Sequence, residues 1–149
     1  RLRGFRSAGF NVLAIDYRGF GRSAPALPSE ASVYEDAEAA WNWLDAREPD
    51  RGRRILYGHS LGGPVAAEVA LRGGGAAALV LESAFTSVAD LAPLGGLVTQ
   101  RLDLANKLAR LDLPVLIVHG TLDAVVPPEM ARRLYDAARG LYDELSKAR

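Results

Sequence analysis

Cysteine is absent from the 149 residues, which excludes disulfides and thiolate metal sites. Its absence does not fix a compartment, because secreted chains can lack it too. A dominant charge is also missing. Eighteen basic and 18 acidic residues cancel, so no overall field recruits nucleic acid or an anionic membrane. Long hydrophobic runs are lacking: Ala76–Leu81 and Val115–Val118 are among the longest, far short of a bilayer span. Histidine is scarce, with His59 and His119 in separate motifs. With the carboxylates scattered along helices, no metal site is expected. No Gly-x-Gly-x-x-Gly follows a strand-like run, so no dinucleotide site, and no other cofactor, is expected. The chain opens on Arg1 and its single methionine is Met130. No signal peptide is visible, and the natural N-terminus is read as lying upstream.

What is present is a balanced globular composition, 49% hydrophobic and 24% charged, at a length that suits one domain over residues 1–149. Four continuous apolar runs read as buried strands: Asn11–Tyr17, Arg53–Tyr57, Ala77–Leu81 and Pro114–His119. They do not alternate, as befits parallel strands covered on both faces. Helical patterns lie between them. Ser32-x-x-Glu35 predicts a capping box opening a helix to about Arg47, with Val33, Ala37, Trp41 and Leu44 on one stripe. A second helix, Leu61–Leu71, stops at Gly73-Gly74-Gly75. Arg101–Arg110 and Glu129–Arg139 predict two more, the latter begun by Pro127-Pro128 and stopped by Gly140. The tail Leu141–Arg149 is amphipathic and helix-prone. Ala24–Ser29 and Leu91–Leu97 read as loops. Trp41 and Trp43 on one helix fit core and edge packing. Strand and helix alternate, so the fold class is α/β, a three-layer αβα arrangement around a mainly parallel sheet.

In such sheets chemistry gathers at the carboxyl edge. The strand Arg53–Tyr57 runs into Gly58-His59-Ser60-Leu61-Gly62 and then a helix, the strand–turn–helix context that gives Gly-x-Ser-x-Gly its meaning. Gly58 and Gly62 are expected to stand where the turn is too sharp for a Cβ, with Ser60 strained and its hydroxyl exposed. The Leu61 N–H would then face an oxyanion, helped by the helix terminus. A structural turn with an incidental serine is the bland reading. Asp123 lies one short turn past the strand end at His119, within His119-Gly120-Thr121-Leu122-Asp123. It could accept a histidine Nδ1–H or merely cap the helix beyond Pro127. Glu82, at another strand end, is the alternative acid, or makes structural hydrogen bonds near the elbow.

The segments N-V-L-A-I-D-Y-R-G-F-G-R-S (11–23), G-H-S-L-G-G-P (58–64), L-E-S-A-F-T-S (81–87) and P-V-L-I-V-H-G-T-L-D-A-V-V-P (114–127) fall in order and resemble the α/β-hydrolase superfamily. The likeness is to its esterase, lipase, thioesterase and serine-aminopeptidase-like branch, and within that to Bem-type hydrolases, some of whose relatives act on long-chain acyl groups. The resemblance implies Ser60 as nucleophile, Asp123 as triad acid and the Leu61 N–H as oxyanion donor, with Asp16, Arg18 and Ser23 in a structural loop. It also implies a base histidine one helix and one strand beyond Asp123, and none stands there. His59 is expected to point away from Ser60, and His119 is expected to pack and hydrogen-bond. Neither reads as the base.

The resemblance also implies a second oxyanion donor preceding Arg1, and with it a strand between Asn11–Tyr17 and Arg53–Tyr57. Those two runs are therefore expected either to pair directly or to leave a gap. The chain reads as a partial hydrolase domain, a serine hydrolase acting by acyl transfer on an ester, thioester or amide. The 149 residues alone are expected to be nearly inactive. The alternative is a non-catalytic binding or assembly protein of the same fold. A haloalkane dehalogenase or epoxide hydrolase would carry aspartate at Ser60. The partner expected is a small-molecule or acyl substrate, under a lid no larger than Ala84–Leu113 could form. Oligomeric state and compartment are not read.

Overall fold

An apolar strand needs backbone partners at its edges and cover on its faces. The computed structural model describes residues 1–73, 75–91 and 101–147, the last eight as backbone only. In chain order its elements are α1 (Leu2–Ser7), α2 (Glu30–Asp45), a 3₁₀ turn (Arg51–Arg53), β1 (Ile55–His59), α3 (Gly62–Gly73), β2 (Ala78–Glu82), α4 (Val88–Leu91), α5 (Leu104–Leu108), β3 (Val115–Val118) and α6 (Pro128–Lys147). The strands form a parallel sheet in the order β1-β2-β3. Leu56 lies opposite Leu79, and Leu81 lies opposite both Gly58 and Ile117.

That register puts Leu56, Leu79, Leu81, Val115 and Ile117 on one face. There they pack with Ala66, Ala67 and Ala70 of α3, Leu104 and Leu108 of α5, and Leu134 of α6. The opposite face carries Tyr57 and Glu82, with α1 lying against Tyr57. Phe5 meets the Tyr57 ring edge-on at 4.9 Å between centroids, and Arg1 reaches Glu82 at 2.9 Å. Helices on both faces of a parallel sheet make the three-layer α/β core that the alternating pattern predicts. Further along the α1 face, Ile55, Leu116 and Val118 stay exposed. A second cluster, with Val33 and Tyr34 of α2, Val65, Phe85, Leu102, Val126 and Met130, gathers beside the carboxyl ends of the strands.

Several boundaries differ from the sequence reading. Asn11–Tyr17 forms no ladder among the described residues. Val12, Leu13 and Ile15 lie exposed along it, so of the two arrangements expected, the gap is realised. An apolar run supplies strand propensity but not the neighbour that accepts its hydrogen bonds. The capping box of α2 is Ser29 with Ser32, one turn earlier than Ser32 with Glu35. Ser29 accepts from the Ser32 N–H at 3.1 Å, and the Ser29 N–H donates to the Ser32 hydroxyl at 2.8 Å. Glu35 instead pairs with Arg18 at 3.1 Å. Within Arg101–Arg110 only Leu104–Leu108 is helical, capped by the Asp103 carboxylate accepting from Asn106. Gly140 does not stop α6, which runs on to Lys147. One mid-helix glycine costs only about 1 kcal/mol against alanine, and good helix formers flank it. The loop reading of Leu91–Leu97 falls almost wholly outside the described residues.

The Asp16 loop is built as a structural loop should be. The Asp16 carboxylate accepts the Arg22 N–H at 3.1 Å, and the Ser23 hydroxyl donates to the Asp16 carbonyl at 2.6 Å. Arg18 fastens the loop to α2 through Asp36 at 2.6 Å.

Candidate active site

Three strand ends stand side by side. The Ser60 N–H donates to the Glu82 carbonyl at 3.0 Å, and the Ser83 N–H to the Val118 carbonyl at 2.9 Å. The residues that follow β1, β2 and β3 therefore form one row along the carboxyl edge. Ser60 sits there with φ 50, a left-handed conformation costing about 1–2 kcal/mol for a residue with a Cβ. Hydrogen bonds hold it in place, with the Gly63 N–H reaching the Ser60 carbonyl at 2.9 Å. Strain of this kind persists only where surrounding contacts over-determine it. Leu61 stands just ahead of α3, among the amide donors that a helix N-terminus leaves without intrahelical acceptors.

The glycines of the turn divide the work differently from the sequence reading. A Cβ on Gly58 would lie 2.4 Å from the Gly62 carbonyl oxygen and 2.6 Å from Gly63 Cα. A Cβ on Gly62 would meet nothing within 4 Å, while one on Gly63 would lie 2.8 Å from Ala84 Cβ. Gly58 and Gly63, not Gly62, are where strand, helix and the following loop approach too closely for a side chain.

Asp123 lies in the loop between β3 and α6. Its Oδ1 accepts the N–H of Val125 and of Val126, each at 2.9 Å. These amides, Val126 first, hold the carboxyl below the usual carboxylate range, and the Ser83 hydroxyl adds a smaller share. The lowered value sets a direction with pH. The ionised form stabilises the fold above the ordinary aspartate range, and that contribution is lost as pH falls through the folded-state value. A carbon-detected NMR titration should show Asp123 ionising below free aspartate, and a value at or above the free one would contradict this geometry.

Glu82, the alternative acid, is engaged elsewhere. Its carboxylate accepts from Arg1 at 2.9–3.1 Å and from the Tyr57 hydroxyl, and those bonds, Arg1 first, lower its pKa. His59 lies opposite Glu82 in the β1–β2 register, on the α1 face. The His119 Nε2 is 2.9 Å from the Val126 carbonyl. Ser60 and Asp123 both follow strands at this edge, while His59 lies on the α1 face and His119 Nε2 is bonded to the Val126 carbonyl, 3.8 Å from Asp123 Oδ2. Ser83 is a further residue of this edge, to which no motif assigns a role. It adopts φ 47, the counterpart of Ser60 one strand over, and the sequence signal is simply that each serine is the first residue past its strand. Among the described residues no cluster of three or more potential metal ligands occurs, and no helix is long and apolar enough to cross a membrane.

Comparison with known proteins agrees with this fold. Residues 2–105 match the family model described as serine aminopeptidase, S33. Protein bem46 of Schizosaccharomyces pombe is 37% identical over 139 residues, covering 83% of this chain and 45% of that protein. Lysophosphatidylserine lipase ABHD12 of Macaca fascicularis is 32% identical over 156 residues, covering 89% and 39%. The crystal structure of Paleococcus ferrophilus monoacylglycerol lipase shares the fold with a TM-score of 0.65 at 23% identity, over 91% of this chain and 72% of that one. The chain spans about half the length of the curated relatives it matches. On the family match, the parallel core and the shared architecture, this chain belongs to the serine aminopeptidase, S33 family of α/β-hydrolases.

Proposed function

We infer that these residues are the nucleophile-bearing part of a serine hydrolase that cleaves carboxylic esters, thioesters or amides by acyl transfer. The observation that carries the reading is the left-handed Ser60 (φ 50) at the turn between β1 and α3. The Ser60 Oγ attacks the substrate carbonyl carbon while a histidine takes its proton. The Leu61 N–H stabilises the oxyanion as the tetrahedral intermediate forms. That intermediate collapses by breaking the bond to the leaving group, which receives the proton from the imidazolium. Asp123 orients the histidine and stabilises its charged form. Neither His59 nor His119 reads as that base, so these 149 residues by themselves would show only the residual catalysis that binding and an oxyanion donor provide.

The lipase activities named for the ABHD12 protein and the Paleococcus enzyme favour an acyl ester of a glycerol-based lipid as substrate. The test is a fluorophosphonate, which forms a bond only with an activated serine. In the natural polypeptide containing this chain, digestion after arginine releases Ile55–Arg72, whose only serine is Ser60. An adduct on Ser60 in that peptide is expected. Quantitative recovery of the unmodified peptide, under conditions that label a known serine hydrolase, would favour the non-catalytic reading.

A further inference from the structure

His119 ends the strand run before the Asp123 loop, and its side chain is only 6% exposed. A carbonyl can only accept, so the Nε2 that lies 2.9 Å from the Val126 carbonyl carries the ring proton and donates it. Nδ1 is buried with no hydrogen-bond partner among the described residues, so the ring's one hydrogen bond is committed to the loop. At its other end, the same Val126 donates its N–H to Asp123 Oδ1. One buried residue, Val126, 3% exposed, is therefore held at its carbonyl by His119 and itself holds Asp123 through its amide. The direct separation, 3.8 Å from His119 Nε2 to Asp123 Oδ2, is too long for a hydrogen bond, so beside a small direct charge effect the hydrogen-bonded path between them runs through Val126.

Packing does little to fix the rest of this loop. Leu122 is 94% and Val125 82% exposed, so Val126 is the loop's apolar anchor in the core cluster. Oδ1 is tied to two amides and the Ser83 hydroxyl also bonds the carboxylate, so the direction in which Asp123 faces a base follows the loop's geometry. The geometry points to His119 as a positioning residue for Asp123, acting through the Val126 peptide. This rests on the reading of Asp123 as the acid that orients the base. Misplacing a reacting group by an ångström can cost up to about 100-fold in rate, which is why a buried imidazole away from the reacting atoms would matter.

The experiment uses the natural polypeptide with p-nitrophenyl butyrate as probe and kcat counted per fluorophosphonate-reactive site, so that unfolded molecules do not contribute. The variants are His119→Phe, His119→Gln, Asp123→Asn and the double variant H119F/D123N. H119F removes the donor, and about a 10- to 100-fold loss in kcat is expected, with KM changed by less than about twofold because ground-state binding is untouched. Gln can place an N–H near the position of Nε2, and H119Q should recover most of the loss. In the D123N background H119F should cost nothing further, the non-additivity of two residues acting as one unit. Hydrogen exchange at the Val126 amide should quicken in H119F and recover in H119Q, and it needs no turnover. If H119F keeps wild-type kcat while D123N loses it, or if the two losses multiply, the positioning role is wrong and the acid reading stands. If D123N itself keeps full kcat, the acid reading fails and takes the positioning role with it.

Discussion

Replacing Ser60 by alanine is expected to lower kcat of the natural polypeptide by about 10⁴- to 10⁶-fold, the loss that follows removal of a triad nucleophile. On the reading of Ser60 as the nucleophile, the effect should be this large because its one oxygen atom forms the bond to substrate. β1 delivers residue 60 to the carboxyl edge of the sheet, the Glu82 and Gly63 backbone bonds hold it at φ 50, and α3 begins two residues later. Alanine keeps the backbone and its left-handed strain and removes only Oγ, so the S60A protein should fold as the parent does. A urea midpoint and slope matching the parent's establish that. The rate is then measured with p-nitrophenyl butyrate, and fluorophosphonate labelling at Ile55–Arg72 should vanish alongside it. A folded S60A protein retaining more than about a tenth of its activity would require another nucleophile, because the residual catalysis left by oxyanion donors and binding is far smaller.

How much of this was legible in the sequence depends on whether a feature is local. The three paired strands could be read because each is a short apolar run bounded by turn residues, and they were located to within two residues of Ile55–His59, Ala78–Glu82 and Val115–Val118. The elbow could be read because strand, serine and helix are contiguous. Pairing is not local. Asn11–Tyr17 has the composition of a buried strand, yet a ladder needs a neighbour and none lies beside it among the described residues. Helix starts were ambiguous where two capping patterns overlap. Ser29 with Ser32 prevailed over Ser32 with Glu35, since the earlier start satisfies both serines and leaves Glu35 for Arg18. Least legible were contacts made by a loop folding back on itself. Nothing in the spacing of His119, Asp123 and Val126 says that the first donates to the carbonyl and the second accepts from the amide of the third. Gly62 differs from the sequence expectation for a related reason: a motif identifies glycines, but which one faces a neighbour depends on how the helix packs on the strand.

That difference between glycines yields the largest expected effect on stability. Gly58→Ala should destabilise the fold by more than about 3 kcal/mol, the range of a severe overpacking substitution. The added Cβ would lie 2.4 Å from the Gly62 carbonyl oxygen and 2.6 Å from both Gly62 C and Gly63 Cα, all backbone atoms with no rotamer to escape into. Gly58 cannot retreat either, because it sits opposite Leu81 in the β1–β2 ladder, so relief means separating α3 from β1 or breaking the ladder. Both would disturb the turn that holds Ser60, and labelling by fluorophosphonate should fall with stability. Gly62→Ala should do the reverse. Its Cβ meets nothing within 4 Å, it lies at the first position of α3, and alanine there reduces the freedom of the unfolded chain, so a gain of up to about 1 kcal/mol is expected. Urea unfolding of the two variants side by side separates these outcomes. Equal losses would mean that the elbow needs both glycines for backbone conformation. A loss at Gly58 alone would place the constraint in the contact between strand and helix, where a single methyl group decides whether Ser60 can be presented at all.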